Sequence, residues 1–355
     1  MPARIDDLTC CRAIFACWVF IYHLNLQLLG ANLFGTLEPA VQRGYLGVDA
    51  FFILSGLVLA HAHPNLGHSW PEMRTFWLRR WLRLYPVHLA VIMLLLAMFG
   101  LAMLAGMAPR DPQRFSLDAL LRNLALVHAW AAPEHWAWNY PSWSISTEWT
   151  GYLAFPLLWM GFRRLSARQA TWVLPALVAA LAAAEWVAGG MHLNLAYRAG
   201  FARFLPEFLA GMALARCAPL LRTWRAAPSL VWLGGGGAIL ASLLPRATPV
   251  SDTLVVLALG MLIAGLFARG MQGRGPVLAR LPGFVFLGTI SYSFYMSFAV
   301  VEMSQAVLWR RLTILPAAHV WLFSLSTMAA TLTLAWALWR FVEKPGKDLY
   351  TRVEH

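Results

Sequence analysis

Apolar runs recur along the whole chain, most of them long enough to cross a hydrocarbon layer of about 30 Å as a helix of about 20 residues. Their edges predict spans at 11–30, 43–62, 85–107, 141–161, 170–189, 200–217, 228–245, 252–269, 283–309 and 317–340. The pattern therefore predicts an all-α integral membrane protein, a bundle of about ten transmembrane helices whose backbone polar groups are satisfied within each helix. Two connections stand out between the runs. One is a basic hinge, HAHPNLGHSWPEMRTFWLRRWLRLYP; the other is a polar stretch over 108–140 that carries Arg110, Asp111, Asp118, Arg122 and Glu134. No stretch is long and polar enough to form a soluble domain of its own, so a single domain over 5–350 is expected. No internal repeat of the inverted-repeat transporter kind is present.

Composition strengthens this picture. Of the 355 residues, 60% are hydrophobic and 12% charged, against about 25% charged in a water-soluble domain. The net charge of +12 (28 basic minus 16 acidic) comes largely from short loops. Arg79, Arg80, Arg83, Arg163, Arg164, Arg168, Arg222, Arg225, Arg274, Arg280, Lys344 and Lys347 sort to one side if the termini are cytoplasmic. That distribution is a topology signal and excludes nucleic acid as a partner. Cys10, Cys11 and Cys17 sit in or beside the first span and Cys217 at a helix end; neither a disulfide nor a metal site is expected from such spacing. Asp6 and Asp7 ahead of the first run argue for a retained helix rather than a cleaved signal.

Polar residues inside the apolar runs carry the candidate chemistry, because charge in hydrocarbon is costly. The first span holds Arg12 and His23, eleven positions apart. At about 100° and 1.5 Å per residue they share one face, about 16 Å apart along the axis. His is the side chain that ordinarily exchanges a proton near neutrality; the plain alternative is a snorkelling arginine and a satisfied histidine. Asp49, in GVDAFFILSG, is either a chemical group or the partner of an arginine. Arg80 and Arg83, at i and i+3 with Tyr85 beside them, form a candidate clamp for a nucleotide-like phosphate, or else simply meet anionic lipid. In NYPSWSISTEW, Ser144 and Glu148 are i and i+4 neighbours, and Trp143, Ser146 and Thr147 add to the cluster. The carboxylate could act as acid or base or orient an imidazole, Trp143 could stack on a sugar ring, and the alternative is an ordinary capped helix start. Arg203 with Glu207, Glu302, Tyr292 and Tyr295 receive no role from sequence alone.

In order, R-x10-H, GVDAFFILSG, FWLRRWLRLYP, SWSISTEW, RFLPEFLAG, LGTISYSFYMSF and FVEKPGKDLY resemble the membrane-bound acyltransferase-3 family, O-acetyltransferases of surface carbohydrates, over roughly residues 5–350. The resemblance implies a ten-helix unit in a bacterial inner membrane that passes acetyl from cytoplasmic acetyl-CoA to a carbohydrate or glycolipid hydroxyl. It makes His23 the general base, Arg12 its paired arginine, and Arg80 and Arg83 the family's R-x-x-R. On this basis the catalytic candidates are His23, Glu148 and Asp49. Arg12, Arg80, Arg83 and Tyr85 are the donor-binding candidates, and Trp143, Ser144 and Ser146 the acceptor-binding ones; no metal is called for. Some relatives carry a further C-terminal esterase-like domain, and none is expected here. The competing reading is a transporter or flippase of a glycan or small anionic solute. That activity would also place charges within the membrane, but it needs no R-x-x-R at the rim.

Overall fold

The computed structural model describes residues 5–28, 34–67, 69–109, 111–130, 138–187, 193, 194, 196, 200–312 and 319–352. The predicted span ends at 29–30, 188–189 and 317–318, and Arg110 and Glu134, lie outside the described residues. In chain order the helices are α1 (Asp6–Gln27), α2 (Glu38–Gln42), α3 (Gly47–Ala62), α4 (Trp70–Leu104), α5 (Leu117–Leu124), α6 (Trp143–Phe162) and α7 (Ala167–Val187). They continue as α8 (Gly200–Arg216), α9 (Ala218–Thr223), α10 (Leu230–Ser242), α11 (Pro249–Met271), α12 (Phe284–Arg311) and α13 (Val320–Leu338). A π-helical turn, Trp339–Glu343, joins α13 to α14 (Lys344–Arg352). No strand occurs among the described residues.

Among the described residues, seven helices are long and apolar enough to cross a membrane: α1, α3 with its lead-in, α4, α7, α11, α12 and α13 with its extension. The other three predicted spans correspond to α6, α8 and α10, which fall short in length or apolar character. The basic hinge is a helix and not a break, because α4 starts at Trp70 and runs through FWLRRWLRLYP with Pro86 inside it. Pro71 in the first turn has its φ already set for a helix. Packing around the bundle tolerates the hydrogen bond lost at Pro86.

The helices pack through small residues and rings. Gly56 of α3 lies against the Phe208 carbonyl of α8, and Gly211 of α8 against the Ile53 carbonyl of α3. A Cβ at either position would overlap that backbone, so the two glycines set how closely α3 and α8 cross. Around this crossing, α1 and α3 contribute to both apolar clusters of the core.

Charged groups lock the connections. Arg43 donates to the carbonyls of Ser242 (2.9 Å), Leu244 (2.7 Å) and Arg246 (2.6 Å), capping the end of α10. Asp252 accepts from the Tyr45 hydroxyl at 2.5 Å. Asp7 accepts three backbone N–H bonds, from Val277, Leu278 and Ala279, each 2.9 Å long.

Gly56→Val is expected to destabilise the detergent-solubilised protein by at least about 1–3 kcal/mol, the scale of core overpacking. Thermal unfolding checks this, with Gly100→Ala as the control, since a Cβ there meets nothing within 4 Å.

Candidate active site

A cavity of about 410 Å³ opens among α1, α3, α4, α6, α12 and the π turn before α14. Arg12, Arg80, Arg83 and Lys347 line it as cations, against the carboxylates Glu148 and Glu343. Four positive groups facing two negative ones leave an excess that suits an anion. Val48, Phe51, Phe52 and Ile145 supply apolar wall, so the space suits a ligand with a charged head and an uncharged arm.

Each carboxylate is held by neighbours. The Ser55 hydroxyl donates to Glu148 at 2.6 Å and the Tyr152 hydroxyl at 2.5 Å. Ser293 donates to Glu343 at 2.6 Å, and the Lys347 ammonium lies 2.6 Å from its other oxygen. The widened π turn is what swings Glu343 inward, and such turns recur at functional sites. The Arg80 guanidinium lies 5.6 Å from the Phe76 ring centroid and 6.0 Å from that of Tyr152. Arg12 also faces the space, and its Nε takes no hydrogen-bond partner among the described residues.

His23 shares the helix of Arg12 but does not line this cavity. Its ring sits among aromatics, with centroids 5.0 Å from Tyr22, 5.0 Å from Tyr140 and 5.1 Å from Phe298. Tyr295 lines the cavity, its ring 5.7 Å from Phe298, the ring packed on His23, and 6.2 Å from Phe51. The Tyr295 hydroxyl lies 2.9 Å from the Ser144 hydroxyl and donates to the Pro141 carbonyl at 2.9 Å. From the cationic space the ring contacts lead through Tyr295 and then Phe298 to His23. Tyr140 lies in the connection before α6, and its hydroxyl donates to Glu302. Burial, then the nearby Glu302 carboxylate, hold the Tyr140 phenol well above its usual range, so it stays a donor.

The predicted residues divide between these places. Arg12, Arg80, Arg83, Ser144 and Glu148 come together around the cavity. Glu148 sits at the arginine end, not beside His23. Asp49 is fully buried against Arg203, whose Nε donates to it at 2.6 Å while Nη2 reaches its second oxygen. Trp143 packs under the same guanidinium, 5.5 Å away. Ser146 is a strut, donating to the Leu126 carbonyl at 2.8 Å and accepting from the Ala129 N–H at 3.2 Å. Tyr85 stacks on Trp81 at 3.9 Å, outside the cavity lining. Sequence reasoning passed over Ser55, Tyr152, Glu343 and Lys347. The i, i+4 spacing of Glu343 and Lys347 in FVEKPGKDLY was the available signal for that pair.

A multi-pass helical protein with a cationic cavity, and an imidazole beyond the aromatic rings of its wall, has the parts of a membrane-embedded transferase. The chain belongs to the acyltransferase-3 family: the family's acyltransferase-domain model matches residues 5–340. It is 31% identical over 327 residues to Acyltransferase MdmB of Streptomyces mycarofaciens, covering 82% of this chain and 78% of that one. It is also 34% identical over 128 residues to Protein 2 in picA locus of Rhizobium radiobacter, covering 36% of this chain and 62% of that one. No solved structure matches. The protein is an acyltransferase.

Removing one partner of a buried ion pair strands the other charge, so Asp49→Ala and Arg203→Ala should each cost about 3–5 kcal/mol. The double variant should cost no more than the worse single one. Thermal unfolding of the three proteins tests this, and additive losses would refute a closed pair.

Proposed function

We propose that the protein is an O-acyltransferase of a bacterial inner membrane, built as a ten-span unit with both termini cytoplasmic. It takes an acyl group, acetyl as the family expectation, from cytoplasmic acyl-CoA and delivers it to a carbohydrate hydroxyl. The observation that carries this reading is the cavity itself. Arg12, Arg80 and Arg83, from two different helices, converge on it with Lys347, and its far end is apolar. Guanidinium forks suit the phosphates of a CoA donor, and the uncharged wall suits its pantetheine arm and acyl end. Glu148 and Glu343 are assigned to holding this cationic cluster in place. The acceptor enters from the His23 side.

For the two substrates to meet, Tyr295 has to swing from Ser144 and Pro141 and the Phe298 ring has to move with it, joining the cavity to the space beside His23. A ring nitrogen of His23 then takes the proton of the acceptor hydroxyl as its oxygen attacks the thioester carbonyl. The new C–O bond forms and the C–S bond breaks. The CoA sulfur leaves as thiolate and receives the proton back from the imidazolium. Ester and free CoA are the products, and no metal takes part in this scheme.

With detergent-purified protein, acetyl-CoA and a crude surface-glycan extract, His23→Ala should lower release of free CoA by about 10²–10⁴-fold, the contribution of a positioned base. Release at the wild-type rate would end the assignment. Arg83→Ala should instead raise the half-saturating acetyl-CoA concentration by about tenfold, the loss of one charge-assisted phosphate contact, with the maximal rate little changed.

A further inference from the structure

Glu302 is a buried acid that takes no part in the steps of acyl transfer. Glu302 lies on α12 with no solvent exposure, and its Oε1 accepts no hydrogen bond from any described residue. Its other oxygen accepts from the Tyr140 hydroxyl. A carboxylate kept at this depth is costly, and carboxylates so placed are functional candidates in membrane proteins. A backbone carbonyl would have served to anchor Tyr140 at far lower cost.

What Tyr140 touches gives Glu302 its use. One neighbour is His23, with ring centroids 5.0 Å apart and planes inclined by 44°. Another is the guanidinium of Arg114, 5.2 Å from the same ring centroid. When His23 becomes an imidazolium, two cations bear on one phenol ring. Aromatic rings attract cations through their electron-rich faces, most strongly when water is excluded. A phenol that donates to a carboxylate is richer in electrons than a free phenol. When ionised, Glu302 sets a negative charge behind the ring on which both cations bear, in a poorly screened interior. Tyr295, Phe298 and Glu302 are spaced i, i+3 and i+7 along α12, so one stripe of that helix carries the ring partition, the ring packed on His23 and the acid.

We propose that Glu302, acting through Tyr140, holds and stabilises the imidazolium that His23 forms during acyl transfer. The two are a positioning pair, and neither touches the donor. This assignment rests on the reading of His23 as the base.

The test uses full-length protein in vesicles of the producing cell's own membrane, supplied with radiolabelled acetyl-CoA. Both transferred label and free CoA are counted, so that transfer to water is read as well. Glu302→Gln and Tyr140→Phe preserve shape and ring, and each should lower kcat by about tenfold, the scale of a desolvated cation–π contact. The donor KM should stay within about twofold, since the pair makes no donor contact. The double variant should be no slower than either single one, because the pair acts as a unit. In a His23→Ala background neither change should slow the residual rate further. Wild-type kcat in both single variants would overturn the inference while leaving His23 in place. So would losses that multiply in the double variant and persist without His23. Full turnover by His23→Ala alone would instead bring down the base assignment itself.

Discussion

A charge inside a bilayer has to be matched, and the way each one is matched divides this molecule into scaffold and site. Asp49 and Arg203 are closed on one another, both almost without exposure. Arg43 spends its guanidinium on three carbonyls at the end of α10, and Asp7 spends its carboxylate on three N–H groups. These groups are satisfied by protein and have nothing left for a ligand. Arg12 differs, with its Nε unpartnered while it faces a space rich in other cations. With cations outnumbering the two carboxylates there, an anion entering the space lowers the cost of burying Arg12.

Packing decides where that space can lie. The contact of Gly56 with Phe208, and of Gly211 with Ile53, draws α3 and α8 together and leaves room on the opposite side of α3, toward α1, α4 and α6. The Asp49–Arg203 pair ties the same two helices nearer one end. With α3 fixed in this way, Ser55 faces Glu148 and Phe51 faces Tyr295, so one helix presents both the cationic room and part of its aromatic wall. The Tyr295 hydroxyl is fastened to Ser144 and Pro141, and the Tyr295 and Phe298 rings stand between the cavity and the imidazole. Rotation of such side chains is a fast motion on the scale of enzymatic turnover.

Helix positions and the roster of polar side chains within them were determined by the sequence by itself. An α-helix satisfies its backbone bonds locally, so an apolar run of sufficient length declares a span without reference to the rest of the chain. The shared face of Arg12 and His23 follows from the helical period alone, as does that of Ser144 and Glu148. The basic stretch before Pro86 was legible as an arginine cluster with Arg80 and Arg83 on one helical face, but not as one helix continuous through Pro86 with the apolar run after it.

Only the tertiary structure decided which group meets which. Asp49 finds Arg203 at a separation of 154 residues, Ser55 finds Glu148 at 93, and Tyr140 finds Glu302 at 162. Glu148, read from sequence as a partner for His23, is claimed instead by Ser55 and Tyr152, while a carboxylate the sequence left without a role lies behind the ring next to His23. Such pairings depend on the rotation and axial offset of each helix against its neighbours. Those are set by close backbone contacts and interlocking rings between distant segments, and a local period carries no record of them.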